Sequence, residues 1–236
     1  MKLYQSRVLH NLDQFRCNPG YNLNLMRDHE GMFIMWKVLE YFQPKSVLEI
    51  GFGCGQTIGL IVDALGDNCK RIVSVDLKHN RTNFENLFPE HCVEFIEIDS
   101  KTLQLCEQFD FIFIDGDHSY NGVSADIKTC LPLLHKNSIL CMDDYYFDGI
   151  DSAIVEHLLT SDFVPFLYSY QQIYFHHKEH SAEDFLDNWL IVNSENFINH
   201  SLKNYHGVNV LYGHLHNIMF IKDIEIFKLG LKFFNQ

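Results

Sequence analysis

No run of 18 apolar residues occurs anywhere in the 236 residues, and the N-terminal stretch MKLYQSRVLHNLDQF has no apolar core of the signal-peptide kind. A membrane-spanning helix and a secretory leader are therefore not expected. Basic charge is scarce: 18 Lys and Arg stand against 31 Asp and Glu, giving a net charge of −13 with no Lys/Arg block. Such a surface repels phosphate backbones and anionic lipid, so neither nucleic acid nor a membrane is an expected partner. Paired cysteine motifs are missing too, since the seven cysteines include no C-x-x-C. That argues against a cysteine zinc site and a disulfide framework, and the cysteines are expected to serve as small apolar fillers. His176, His177, His180, His214 and His216 follow no finger spacing, and neither internal repeats nor low-complexity tracts occur. What remains is the expectation of one soluble, cytoplasmic α/β domain over 1–236, with 47% apolar residues to build its core.

The most informative stretch is SVLEIGFGCGQT, residues 46–57. An apolar run, Val47 to Ile50, stops at Gly51, Gly53 and Gly55, and Ile58, Ile61, Val62 and Leu65 follow at helical spacing. This reads as strand, tight turn, helix. Alternate glycines admit positive φ and let a ligand approach the backbone, although glycines serving the turn alone would give the same pattern. A dinucleotide loop would place its third glycine one residue later, and the carboxylate of Glu49 would repel a pyrophosphate while suiting a ligand with an ammonium and a sulfonium. The run E-x-G-x-G-x-G resembles the first motif of the class I S-adenosylmethionine-dependent methyltransferases.

Strands and helices then alternate. Arg71 to Val75 ends at Asp76, whose two carboxylate oxygens suit a ribose diol. Val93 to Ile98 ends at Asp99, which reads equally as a helix cap or as a ligand contact. Phe111 to Ile114 is a continuous apolar strand delivering Asp115 to the same edge as Gly51, followed by Asp117, His118, Ser119 and Tyr120 and by a helix through Val123, Ile127, Leu131 and Leu134. Ile139 to Met142 ends in Asp143 and Asp144. Carboxylates ending two neighbouring strands repel one another unless a cation compensates, and all-oxygen ligands favour magnesium, then manganese or calcium. Aspartates that cap helices or face solvent would need no metal. Upstream, a helix is expected from about His29 to Phe42, ending before Pro44. Downstream, a helix should begin at Asp151, and Phe163 to Tyr168 and Ile173 to His177 should close the sheet as antiparallel strands.

The run IDGDHSYNGV followed by MDDYY is similar to the macrocin-type sugar O-methyltransferases and, more distantly, to the catechol-type enzymes. The resemblance covers about residues 30–148. It implies a doubly wound, Rossmann-like, mostly parallel seven-stranded sheet with an antiparallel strand near one edge. An N-terminal helical segment (1–44), a cofactor-binding core (45–178) and a C-terminal extension (179–236) serving as cap or oligomer contact divide the chain. It also implies S-adenosylmethionine as cofactor, lying on Gly51, Gly53 and Gly55, with Glu49 near its amino-acid part, Asp76 on the ribose, Asp99 by the adenine and Asp115 close by. Asp115, Asp143 and Asp144 would hold Mg2+, and Asp115 and His118 would be catalytic, His118 removing the proton from an acceptor hydroxyl of a small molecule or sugar. His118 could instead order the Asp115–Tyr120 turn. Asn137-Ser138 departs from the Gly-Gly turn common in that group, and residues 179–236 match no part of it. Two rivals stay open: a nicotinamide-dependent oxidoreductase, which leaves the acid cluster without a role, and a non-catalytic S-adenosylmethionine-binding protein.

Overall fold

The structure is a computed structural model that describes residues 7–10, 25–169, 171–179 and 198–215. Five strands run parallel at its centre: β1 (Ser46–Ile50), β2 (Arg71–Asp76), β3 (Val93–Glu97), β4 (Phe109–Ile114) and β5 (Leu134–Met142), in the order β3-β2-β1-β4-β5. β6 (Phe163–Tyr168) and β7 (Ile173–His177) follow, with β7 antiparallel to both β5 and β6. This is the expected sheet, order 3-2-1-4-5-7-6. Two further strands from the C-terminal extension, β8 (Ile198–Tyr205) and β9 (Val208–Leu215), form a hairpin, and β9 runs parallel to β6 at Leu167 and Tyr168.

Why the sheet is covered on both faces is visible in β4. Its successive residues Phe111, Ile112, Phe113 and Ile114 are all buried, and by the period of a strand they split between two cores. Phe111 and Phe113 join Val47 and Ile72 under α2 (Leu25–Phe42) and α3 (Gln56–Leu65), through Trp36, Leu39, Ile58 and Ile61. Ile112 and Ile114 join Leu48 and Val73 under α5 (Tyr120–Cys130) and α6 (Asp148–Ala153), through Val123, Ile127 and Ile150. Each such side chain contributes about 1.5–3 kcal/mol by leaving water. The short α1 (Arg7–His10) is tied to α3: the Arg7 guanidinium donates to Asp63 at 2.9 Å, to the Leu87 carbonyl at 2.9 Å and lies over the Phe88 ring. α4 (Thr82–Leu87) follows β2.

Several boundaries differ from expectation. α2 begins at Leu25, four residues before His29, because the polar run Arg27–Glu30 hides a helix that no breaker stops. α5 ends at Cys130, not beyond Leu134: Pro132 falls in a single 3-10 turn, Leu131–Leu133, and Leu134 already begins β5. α6 begins at Asp148 and β4 at Phe109. His180 and His216, with the rest of 180–197 and 216–236, lie outside the described residues. Among those described, no helix is long and apolar enough to cross a membrane.

Candidate active site

The turn after β1 carries three positive backbone angles, with φ 94° at Gly51, 52° at Gly53 and 80° at Gly55. The Gly51 amide donates to the Val75 carbonyl at 2.9 Å, and the Asp115 amide donates to the Ile50 carbonyl at 2.8 Å. Gly51 thereby sits against the turn that follows β4: a Cβ placed on it would lie 2.0 Å from the Asp115 carbonyl oxygen. Gly55 packs on the Phe52 ring and starts α3, leaving the first amides of that helix facing the loop. Phe52 itself is buried against His79, Phe84 and Phe95. This aromatic footing shows in the sequence only as one apolar residue among glycines.

Asp76 stands beside the same loop. Its Oδ2 accepts from the Phe52 amide at 2.7 Å and the Gly53 amide at 3.3 Å. Leu77, the next residue, is 74% exposed, so a large apolar side chain faces solvent beside Asp76. No pattern in the sequence singles it out. Glu49 is fully buried, one oxygen accepting from the Ser74 hydroxyl and the other, Oε1, sealed from solvent. Asp99 is exposed and caps the turn Ser100–Thr102, accepting from the Lys101 amide at 3.0 Å. Cys54, within the glycine loop, is disulfide-bonded, and Cys92 and Cys106 are exposed, against the expectation that every cysteine is a filler; Cys69, Cys130 and Cys141 are buried thiols.

Burial pushes Glu49 up to about 8, the Ser74 hydrogen bond only partly offsetting it. In the unfolded chain the group titrates near 4.5, so between the two values the folded state holds an extra proton and stability falls as pH rises through that window. Glu49→Gln is expected to flatten this decline. Melting temperatures at about pH 5 and about pH 8.5 would show it. A decline as steep as that of the unaltered protein would place the pH sensitivity in other groups.

At the ends of β4 and β5, Asp115, His118 and Asp144 converge. His118 Nε2 is 3.3 Å from Asp115 Oδ1, and Nδ1 is 3.7 Å from Asp144 Oδ2. One donor atom from each of the three lies within 4.8 Å of the others. Asp144 has φ 49°, a left-handed conformation that aspartate tolerates better than most residues and that turns its carboxylate toward His118. The Phe147 ring stacks on the imidazole at 5.6 Å. The hydrogen bond to Asp115 pushes His118 up, with Asp144 adding to it, while burial pushes Asp115 up. Asp143, expected in this group, is not part of it; its amide donates to the Ile114 carbonyl at 3.0 Å and its Oδ1 is sealed from solvent. The remaining polar residues of the turn cap α5. Asp117 accepts from the Ser119 amide and hydroxyl at 2.9 and 2.8 Å, and Ser119 accepts from the Gly122 amide at 3.1 Å.

The arrangement offers a backbone cradle with carboxylates below and beside it, and an imidazole held between two more carboxylates one turn away. A family model described as a methyltransferase domain matches residues 48–145, which spans all of these residues. None of the curated proteins matches the sequence. Among solved structures, the O-methyltransferase TomG of Streptomyces achromogenes, in complex with S-adenosylmethionine, is 14% identical with a TM-score of 0.52, covering 72% of this chain and 89% of that one. A methyltransferase of Podospora anserina, bound to S-adenosylhomocysteine, is 18% identical with a TM-score of 0.50, covering 62% and 77%. The TDP-rhamnose 3'-O-methyltransferase CalS11 is 17% identical with a TM-score of 0.50, covering 72% and 89%. At such identities the likeness is one of fold.

Proposed function

We propose that this chain, whose residues 48–145 match a methyltransferase-domain family, is a class I, S-adenosylmethionine-dependent methyltransferase that methylates a hydroxyl group of a small-molecule or sugar acceptor, with His118 as the base. The observation that supports this reading is the packing of Gly51 against the Asp115 carbonyl, because it sets the glycine loop against the turn that carries His118. When bound, S-adenosylmethionine would supply an electrophilic methyl group. The left-handed glycines and the α3 N-terminus would hold its amino-acid end, with Glu49 buried behind them. Asp76 would accept from the ribose, Leu77 would cover one side of the adenine, and Asp99 would meet its edge. His118 takes the acceptor proton, and Asp115 and Asp144 orient the ring and stabilise its charged form. Holding both reactants in register supplies up to about 7–11 kcal/mol of the barrier.

A divalent cation, magnesium before manganese, fits the two carboxylates of Asp115 and Asp144, and when bound it would supply Lewis acidity toward the acceptor oxygen. The imidazole between these carboxylates can balance part of their charge on its own, so dependence on metal is the point to test. Asp144→Asn is expected to weaken binding of Mg2+ or Mn2+ by at least about tenfold while S-adenosylmethionine still binds, and Asp143→Asn to do so less. Calorimetry with each metal alone measures this. Full turnover in excess chelator would remove the metal from the reading.

A screen of methyl transfer from labelled S-adenosylmethionine to sugars, catechols and small acids tests the function itself. Binding of S-adenosylmethionine without transfer to any hydroxyl would favour the non-catalytic alternative. The methyltransferase-domain match, and an acid cluster for which hydride transfer has no use, weigh against a nicotinamide enzyme.

A further inference from the structure

We propose that Asp126, a buried carboxylate outside the chemistry described above, is a positioning residue that sets the adenine-facing wall of the cofactor cleft. The inference rests on the assignment of S-adenosylmethionine to this cleft. Asp126 lies on the inner side of α5 and is 3% exposed. Its Oδ1 accepts from the Ser100 hydroxyl, and its Oδ2 lies where a Cβ on Gly116 would come within 2.8 Å. Ser100 directly follows Asp99 at the end of β3, and Gly116 directly follows Asp115 at the end of β4.

One carboxylate therefore touches both turns that would flank the base. In the sheet β3 and β4 are separated by β2 and β1, a span of about 14 Å at the usual interstrand distance. The two turns must lean together to share a partner, and Asp126 is the group they share. Gly116 has no side chain that would keep the carboxylate away, and the Ser100 hydroxyl holds the capped turn at Asp99 in place. The position is costly for a charge: burial pushes Asp126 up to about 6, with Asp99 and Asp117 adding to the rise and Ser100 and Lys101 opposing it. Packing alone would be served as well by leucine, as at the neighbouring Val123 and Ile127. The carboxylate is explained if the placement of Ser100 and Asp99 matters to a ligand.

The test is calorimetry with S-adenosylhomocysteine and with its inosine analogue, in which the adenine amino group is replaced by a carbonyl. The unaltered protein should prefer the adenine compound. Asp126→Leu should bind it about tenfold more weakly and lose the preference, with little change toward the inosine analogue. Asp126→Asn, which can still accept from Ser100, should retain both affinity and preference. Ser100→Ala, a milder change at the other end of the contact, should reproduce the loss of preference even if Asp126→Leu folds poorly. Unchanged preference in Ser100→Ala, or an equal loss toward both ligands in Asp126→Leu, would overturn the proposal. Failure of the unaltered protein to bind S-adenosylhomocysteine would overturn the cofactor assignment first, a result distinct from either.

Discussion

Gly51→Ala is expected to weaken S-adenosylmethionine binding by at least about a hundredfold and to lower the melting temperature as well. Two costs add. At φ 94° any L side chain is strained, by about 1–2 kcal/mol for the left-handed region. The new methyl group would also meet the Asp115 carbonyl oxygen at 2.0 Å and its carbon at 2.5 Å. Those are backbone atoms, and they move only if the Asp115 amide gives up the Ile50 carbonyl, which pries β4 from β1 at the cleft. Gly53, at φ 52°, shares the backbone strain but is exposed at the loop tip, so Gly53→Val should remove binding by filling the ligand's space as well as lower the melting temperature. Calorimetry and thermal melts on the two variants separate the effects. Wild-type affinity in Gly51→Ala would mean that the cofactor does not use this turn.

His118→Ala is expected to lose about 10² to 10⁴ in kcat, with affinity for S-adenosylmethionine nearly intact. The competing reading makes His118 the organiser of its turn. The hydrogen bonds speak against that, because Asp117 and Ser119 between them satisfy the turn and cap α5 while the imidazole points to Asp115 and Asp144. Two melting curves decide the matter. Ser119→Ala should destabilise by about 0.5–2 kcal/mol as a lost cap, and His118→Ala should melt close to the unaltered protein. Rescue of His118→Ala by added imidazole would identify the missing group as the base. Undiminished turnover on an acceptor found by the screen would exclude that role.

Much of this fold could be read from the chain before any coordinates, and the reason is local. Where an apolar run is short, continuous and stopped by glycine or aspartate, as at Val47–Gly51 and Phe111–Asp115, strand and edge are specified together. The placement of the candidate residues was legible to the same degree: Gly51, Gly53, Gly55, Asp76, Asp115 and His118 all come to one edge because each ends or follows a strand there. What could not be read depends on the angle at which a chain leaves its strand. Asp143 and Asp144 are neighbours, and only the left-handed turn at Asp144 decides which of them reaches His118. Asp99 showed as cap or ligand contact; the cap is present, and a cap leaves the second role open. Asp126 escaped notice because its neighbours Val123 and Ile127 made the helix face look ordinary, although a carboxylate beside them was the available clue. The polar segment Arg27–Glu30 concealed the first turns of α2 in the same way.

The hairpin of β8 and β9 has a consequence for solution behaviour. Without it, β6 would be the outermost strand on its side, offering backbone amides and carbonyls to any strand that came near, over a segment carrying the buried Phe163, Phe166 and Leu167. Pro165 already withholds one donor from that row, and β9 occupies the positions opposite Leu167 and Tyr168. Among the described residues the open margin moves out to β8. The hairpin is locked back onto the domain by the Tyr205 hydroxyl, which donates to Asp151 at 2.7 Å, and by His206, whose Nε2 lies 3.0 Å from the same carboxylate. Weakening that lock would uncover the β6 margin, and copies of the chain would then pair there strand to strand, in proportion to their concentration.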